Sequence, residues 1–130
     1  MKQQGEAVGP CLRPLESVVR LLSHQWTIPL ILLSGRSESS LRYSDIRNGL
    51  VKQLHNGISD STLSRTLSEL TDLGILNRKS FDEVPPRVEY DLTDAGQGLF
   101  QILNELGEWT REQCHLGGLR IPNRYNPVSD

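Results

Sequence analysis

The chain has 130 residues, 36% hydrophobic and 23% charged, with 14 basic side chains against 16 acidic ones and a net charge of −2. That length suits one domain whose core needs neither disulfide nor metal, and two cysteines are too few for a disulfide framework. The near-neutral balance argues against a strongly basic nucleic-acid binder, and the apolar run from Ile28 to Leu33 is far too short to cross a bilayer, so a soluble, cytoplasmic protein with no membrane partner is expected.

Residues 1–10 show no apolar period and are expected to form a flexible arm. From Pro14, which a first helical turn accepts, Leu15, Val18, Val19 and Leu22 mark an amphipathic helix. Trp26 to Leu33 is almost wholly apolar and reads as the core helix, with Pro29 in its first turn. Gly35 to Ser40 is expected to be a polar loop, and Leu41-Arg42 a short strand. Tyr43, Ile46 and Leu50 then give a helix with Ser44 as its cap, extended through Leu54 and broken at His55-Asn56-Gly57, where Asn-Gly is a turn signal.

Helix punctuation is clear in the next segment. Ser59 is an N-cap with Asp60 in the first turn, and Gly74 follows the last apolar residue. Leu63, Leu67 and Leu70 form one stripe, with Leu73 near it, while Ser61, Ser64, Arg65 and Ser68 form the opposite face. A hairpin follows. Ile75 to Phe81 can pair with Arg87 to Leu92, in which Val88, Tyr90 and Leu92 alternate with Arg87, Glu89 and Asp91, and Pro85-Pro86 is confined to the loop because proline donates no ladder hydrogen bond. A helix followed by such a hairpin is a winged helix-turn-helix. The expected fold is therefore mainly α with a small β-hairpin wing (α+β).

After Thr93, Ala95, Leu99, Ile102, Leu106 and Trp109 repeat at steps of four and three, broadened by Phe100 and Leu103, which is the seam of a helix that packs on another helix. It can pack on the chain's own first helix or on a second copy. The expected dimer interface comprises Leu15, Val19, Leu99, Ile102, Leu103, Leu106 and Trp109, and the domain spans 11–116, with 117–130 an extended or disordered tail.

Cys11, Gln25-Trp26-Thr27, Arg42-Tyr43, Gly57-Ile58-Ser59, Glu69-Leu70, Gly74 and Val84-Pro-Pro-Arg-Val-Glu-Tyr-Asp-Leu-Thr93 occur in that order. On these residues the chain resembles the HxlR-type family of winged helix-turn-helix transcriptional regulators, from about Cys11 to Trp109, with the Pro-Pro-Arg-Val-Glu-Tyr run as the most specific part. It departs from the family pattern at His24-Gln25, where Gly-Lys is usual, at Cys11-Leu12, where Cys-Pro is usual, and in about five extra residues over 51–56. Ser61 and Thr66 stand where the family often has basic residues. The resemblance implies a homodimer on double-stranded DNA, and a cysteine at the position of Cys11 that in some members senses oxidants.

The DNA-binding residues expected are Ser59, Ser61, Thr62, Ser64, Arg65 and Ser68 on the recognition helix, with Lys79 and Arg87 on the wing. Residues 59–92 carry four basic and seven acidic side chains, so the electrostatic part of binding should be modest. The alternative reading is a winged-helix module for protein or small-molecule interaction with weakened DNA binding. Control is expected through a small-molecule effector, in an apolar pocket between the first helices and the C-terminal helix, or through an oxidant acting on Cys11, whose thiolate Arg13 and a helix N-terminus would favour. Cys114-His115 lacks a second pair at metal-ligand spacing, and phosphate-loop, nucleophile-elbow and zinc-protease motifs are missing from the sequence. No metal, cofactor or enzymatic activity is expected.

Overall fold

The computed structural model describes residues 12–54 and 57–122. The elements run α1 (Leu12–Leu22), α2 (Thr27–Arg36), β1 (Leu41–Arg42), α3 (Tyr43–Leu54), α4 (Asp60–Asp72), β2 (Leu76–Phe81), β3 (Arg87–Leu92) and α5 (Asp94–His115). The expected N-terminal arm, Cys11, the His55-Asn56 break and residues 123–130 of the expected tail lie outside the described residues.

The core forms where α2, the most apolar helix, meets the inward stripes of its neighbours. Leu30 and Ile31 of α2, Ile46 and Leu50 of α3, and Leu63, Leu67 and Leu70 of α4 are all buried, closed off by Trp26, Ile58, Leu76, Leu92 and Leu103. Each such side chain removed from water contributes roughly 1.5–3 kcal/mol. α2 runs two turns' worth of apolar residues and continues through Arg36, three residues past the end read from the sequence. Gly35 lies inside this extension, where a Cβ would overlap the Phe100 ring, so glycine permits α5 to lie directly against the last turn of α2.

α3 also starts differently from expectation. Ser44 is inside the helix, not its cap, and the Asp45 carboxylate instead accepts from the Arg42 backbone N–H at 3.1 Å, the reach-back half of a capping box. α4 keeps its expected ends. The Ser59 hydroxyl accepts from the Thr62 N–H at 3.2 Å, and Gly74 takes φ +83°, where a Cβ would be strained.

The sheet is antiparallel with order β1-β3-β2, so β1 lies against β3 across from the hairpin partner, with Leu41 opposite Tyr90 and Arg42 opposite Glu89. The hairpin register pairs Leu76 with Leu92 at the base and Phe81 with Arg87 at the tip. Thr93 caps α5 through the Gly96 N–H and donates to the Gly74 carbonyl at 2.6 Å, which ties the end of α4 to the start of α5. Directly after α5 the chain turns back on the helix: Gly117 takes φ +80°, and the Gly118 and Leu119 amides donate to the Gln113 carbonyl.

Candidate nucleic-acid interface

α4 presents two chemically distinct faces. Leu63, Leu67 and Leu70 are buried, and Ser61, Ser64, Arg65 and Ser68 are exposed as a small, polar row bounded by the capped N-terminus. Ser59 and Thr62 belong mostly to the cap: the Ser59 hydroxyl lies 2.9 Å from the Thr62 hydroxyl, and Thr62 is half-buried. Thr66 is buried and donates to the Thr62 carbonyl at 2.9 Å, so it faces away from this row. Leu73, expected beside the apolar stripe, is 61% exposed, because the helix ends there and the chain turns at Gly74.

A network that the sequence reading missed fixes α4 against α3. The Tyr43 hydroxyl donates to Asp60 Oδ1 at 2.8 Å, Arg47 reaches the same oxygen at 3.3 Å, and Arg47 Nη1 donates to the Ile58 carbonyl at 2.6 Å. Tyr43 and Arg47 are four residues apart on one helix face, which is the signal that would have found them. Burial first, then the hydrogen bond to Asp60, pushes the Tyr43 phenol above its usual range.

The wing departs from what was expected of it. Arg87 is held by Glu83 at 3.0 Å and Glu89 at 3.2 Å, and its guanidinium stacks 4.2 Å from the centre of the Phe81 ring. Lys79 is bound to Asp91 at 2.7 Å. Both wing residues expected to meet phosphate as free cations are thus paired within the hairpin, because β3 places carboxylates at every second position of the face that carries them. Partial burial raises the Asp91 carboxyl, but hydrogen bonds from Lys79, Asn77 and Ser40 outweigh it and hold the group below its usual range. The same bond raises Lys79. A recess of 460 Å³ separates the wing tip from the N-terminal turn of α3, lined by Arg42, Ser44, Pro86 and Arg87.

Several large apolar side chains of α1 and α5 are left uncovered. Leu15 is 57%, Val19 56%, Ile102 61%, Leu106 51% and Trp109 52% exposed, and α1 has no buried residue. The stripe expected along a dimer seam therefore divides. Leu103 is buried in the protomer's own core and Leu99 packs against it, so these two serve α5's contact with α2 rather than an outward seam. An apolar recess of 370 Å³ lies between α1 and the end of α4, not against α5 as the expected effector pocket would; Leu21 and Leu73 line it beside Arg20, His24, Glu69 and Asp72. Cys114 is an exposed free thiol, no helix among the described residues is long and apolar enough to cross a membrane, and no cluster of metal-ligating side chains is found among them.

The family profile for HxlR-like helix-turn-helix proteins matches residues 21–117, which includes α2 through α5. The chain belongs to the HxlR family. Its resemblance to that family is thereby borne out, and so is the winged helix-turn-helix fold. The chain is similar to YvaP of Bacillus subtilis, an uncharacterised helix-turn-helix transcriptional regulator, with 36% identity over 99 residues that cover 75% of this chain and 83% of the relative. Among solved structures it is similar to a transcriptional regulator of the MarR family from Enterococcus faecalis V583, with a TM-score of 0.73, 24% identity and coverage of 88% and 97% of the two chains, a likeness of fold. It is also similar to the reduced form of the transcriptional regulator YodB from B. subtilis, with a TM-score of 0.64, 27% identity and coverage of 78% and 92%.

As an HxlR-type regulator the protein carries the helix-turn-helix DNA-binding fold with α4 as its second helix. Of the two positions where the family often has basic residues, only Ser61 is on the exposed row; Thr66 is buried.

Proposed function

We propose that this HxlR-type regulator binds DNA as a homodimer and represses transcription from a pseudo-palindromic operator. The capped, exposed row of Ser61, Ser64, Arg65 and Ser68 on α4 carries the reading. Short polar side chains let a helix enter a major groove closely, and one arginine among them can donate two hydrogen bonds to a guanine edge. The N-terminus of α4, capped by Ser59 and steadied by Thr62, favours phosphate through the helix dipole.

A second copy would cover the bare residues Leu15 and Val19 of α1 and Ile102, Leu106 and Trp109 of α5, and set two α4 helices about one DNA turn, roughly 10–10.5 base pairs, apart. Bound there, in the cytoplasm, the dimer would obstruct the promoter. An effector enters this reading as an oxidant acting on Cys11, supported by the likeness to a regulator crystallised in a reduced form, or as a small molecule in the recess between α1 and α4.

Mobility shifts on genomic promoter fragments over a salt series test the reading. Affinity that falls with salt on a few fragments supports it, and binding that is absent, or equal on every fragment, would favour an interaction module.

A further inference from the structure

The wing contains three cations, Arg78, Lys79 and Arg87, and four carboxylates, Asp82, Glu83, Glu89 and Asp91. Arg87 joins three parts of it. Its Nη2 reaches Glu83 in the loop, its Nε reaches Glu89 two residues along β3, and its guanidinium plane covers Phe81 at the end of β2. Val84, at the tip between Glu83 and Pro85, is fully exposed, so burial does nothing to hold the loop. The loop is closed by the Glu83 N–H, which donates to the Phe81 carbonyl at 2.9 Å, and by the Arg87 guanidinium, which pairs with both carboxylates by charge and lies on the Phe81 ring, although its Nε makes no hydrogen bond.

We propose that Arg87 is the positioning residue of the wing, which it holds in shape through Glu83, Glu89 and Phe81, and that the wing's cation for DNA phosphate is Arg78. The proposal rests on the DNA-binding reading and refines it. Arg87 with its two carboxylates forms a cluster of net charge −1, and Lys79 with Asp91 is neutral, so this face of the hairpin offers phosphate no net attraction. To bind DNA directly Arg87 would have to leave two carboxylates and an aromatic ring together.

Arg78 differs in both respects. Its guanidinium donates to the Ser80 hydroxyl at 3.2 Å and, among the described residues, has no carboxylate within salt-bridge distance. Successive residues of β2 point to opposite faces, and Arg78 stands opposite Tyr90 whereas Lys79 stands opposite Glu89. Tyr90 packs against the core, Leu76 on the same face of β2 as Arg78 is buried in it with the α4 leucines, and α4 contacts β2. Arg78 therefore leaves the wing on the face shared with α4, where a duplex engaged by Ser61, Ser64 and Arg65 would pass.

The test combines mobility shifts over a salt series with hydrogen exchange at the Phe81, Glu83 and Arg87 amides of the free protein, for Arg87→Ala, Arg87→Lys, the double variant Glu83→Gln/Glu89→Gln, and Arg78→Ala. Arg87→Ala and Arg87→Lys should both speed exchange at the tip by about tenfold and weaken DNA binding at an unchanged salt slope, since a compact ammonium cannot lie flat on the Phe81 ring while reaching both carboxylates. The glutamine pair should also weaken binding, although it removes two negative charges. Arg78→Ala should leave exchange alone and reduce the slope by about 0.9 per protomer.

The proposal is overturned if Arg87→Ala lowers the slope while Arg78→Ala does not, if the glutamine pair binds more tightly with a steeper slope, or if tip exchange is unchanged in Arg87→Ala. Should the unaltered protein show no salt-dependent binding, the DNA reading fails, and the exchange arm still decides whether Arg87 clamps the tip.

Discussion

The Tyr43 hydroxyl and the Asp60 carboxylate, 2.8 Å apart, join the first turn of α3 to the first turn of α4. Asp60 favours the α4 N-terminus through the helix dipole, yet it would repel an approaching phosphate. Tyr43 and Arg47 together bind that negative charge and turn it into a brace between the two helices of the helix-turn-helix.

Tyr43→Phe should cost about 1 kcal/mol of folding stability, the net value of an ordinary hydrogen bond, because the Asp60 carboxylate is largely exposed and water screens its charge. DNA affinity should fall with it, since Asp60 is then less restrained beside the recognition row. Urea denaturation and a mobility shift check both; an unchanged affinity would show that Arg47 alone controls the Asp60 charge.

Arg65→Ala should relax base preference at one position per half-site by roughly 1–3 kcal/mol, the value of a bidentate contact to guanine. Selection of bound sequences from a random pool reads this. An identical motif for the variant would assign Arg65 to phosphate.

The two halves of the α5 stripe should respond differently. Leu106→Glu with Trp109→Glu places charge on residues already half-exposed in one protomer, so the variant should stay folded and become monomeric, whereas Leu103→Glu should unfold the chain by putting a charge in the core. Light scattering and circular dichroism separate these outcomes, and a dimer that survives the double substitution would move the interface away from this face.

The Lys79–Asp91 pair links stability to pH at both extremes. Asp91 titrates below its ordinary 3.8 in the fold, so its contribution is complete above 3.8 and is lost as pH falls through the lowered value. Lys79 titrates above its ordinary 10.5, so its contribution is complete below 10.5 and is lost as pH rises through the raised value. Melting temperatures of Asp91→Asn should therefore lie below those of the parent in the middle range and converge with them at both ends; a constant offset across pH would deny the pair this role.

Much of the fold was legible because it follows from local rules. The Ser59 cap, the Gly74 stop, the Leu63-Leu67-Leu70 stripe and the alternation of Val88, Tyr90 and Leu92 each follow from backbone geometry acting within a few residues, and all lead to the same winged helix-turn-helix. The exposed row of α4 was legible for the same reason: helical period alone sets it opposite the buried leucines.

What only the tertiary structure decided concerns distances between segments remote in sequence. Helical spacing places Leu99, Ile102, Leu103 and Leu106 on one broad stripe, but the packing of α5 against α2 buries Leu103 and leaves Ile102 and Leu106 bare. Arg87 and Lys79 are basic in any reading of the sequence. Strand register brings Lys79 and Asp91 together across the hairpin, while the loop and the pleat turn Glu83 and Glu89 onto Arg87, and so the charges that sequence counts as available for DNA are spent within the wing. Pattern within an element is set by its own period, whereas the partner of a charge depends on which elements fold against each other.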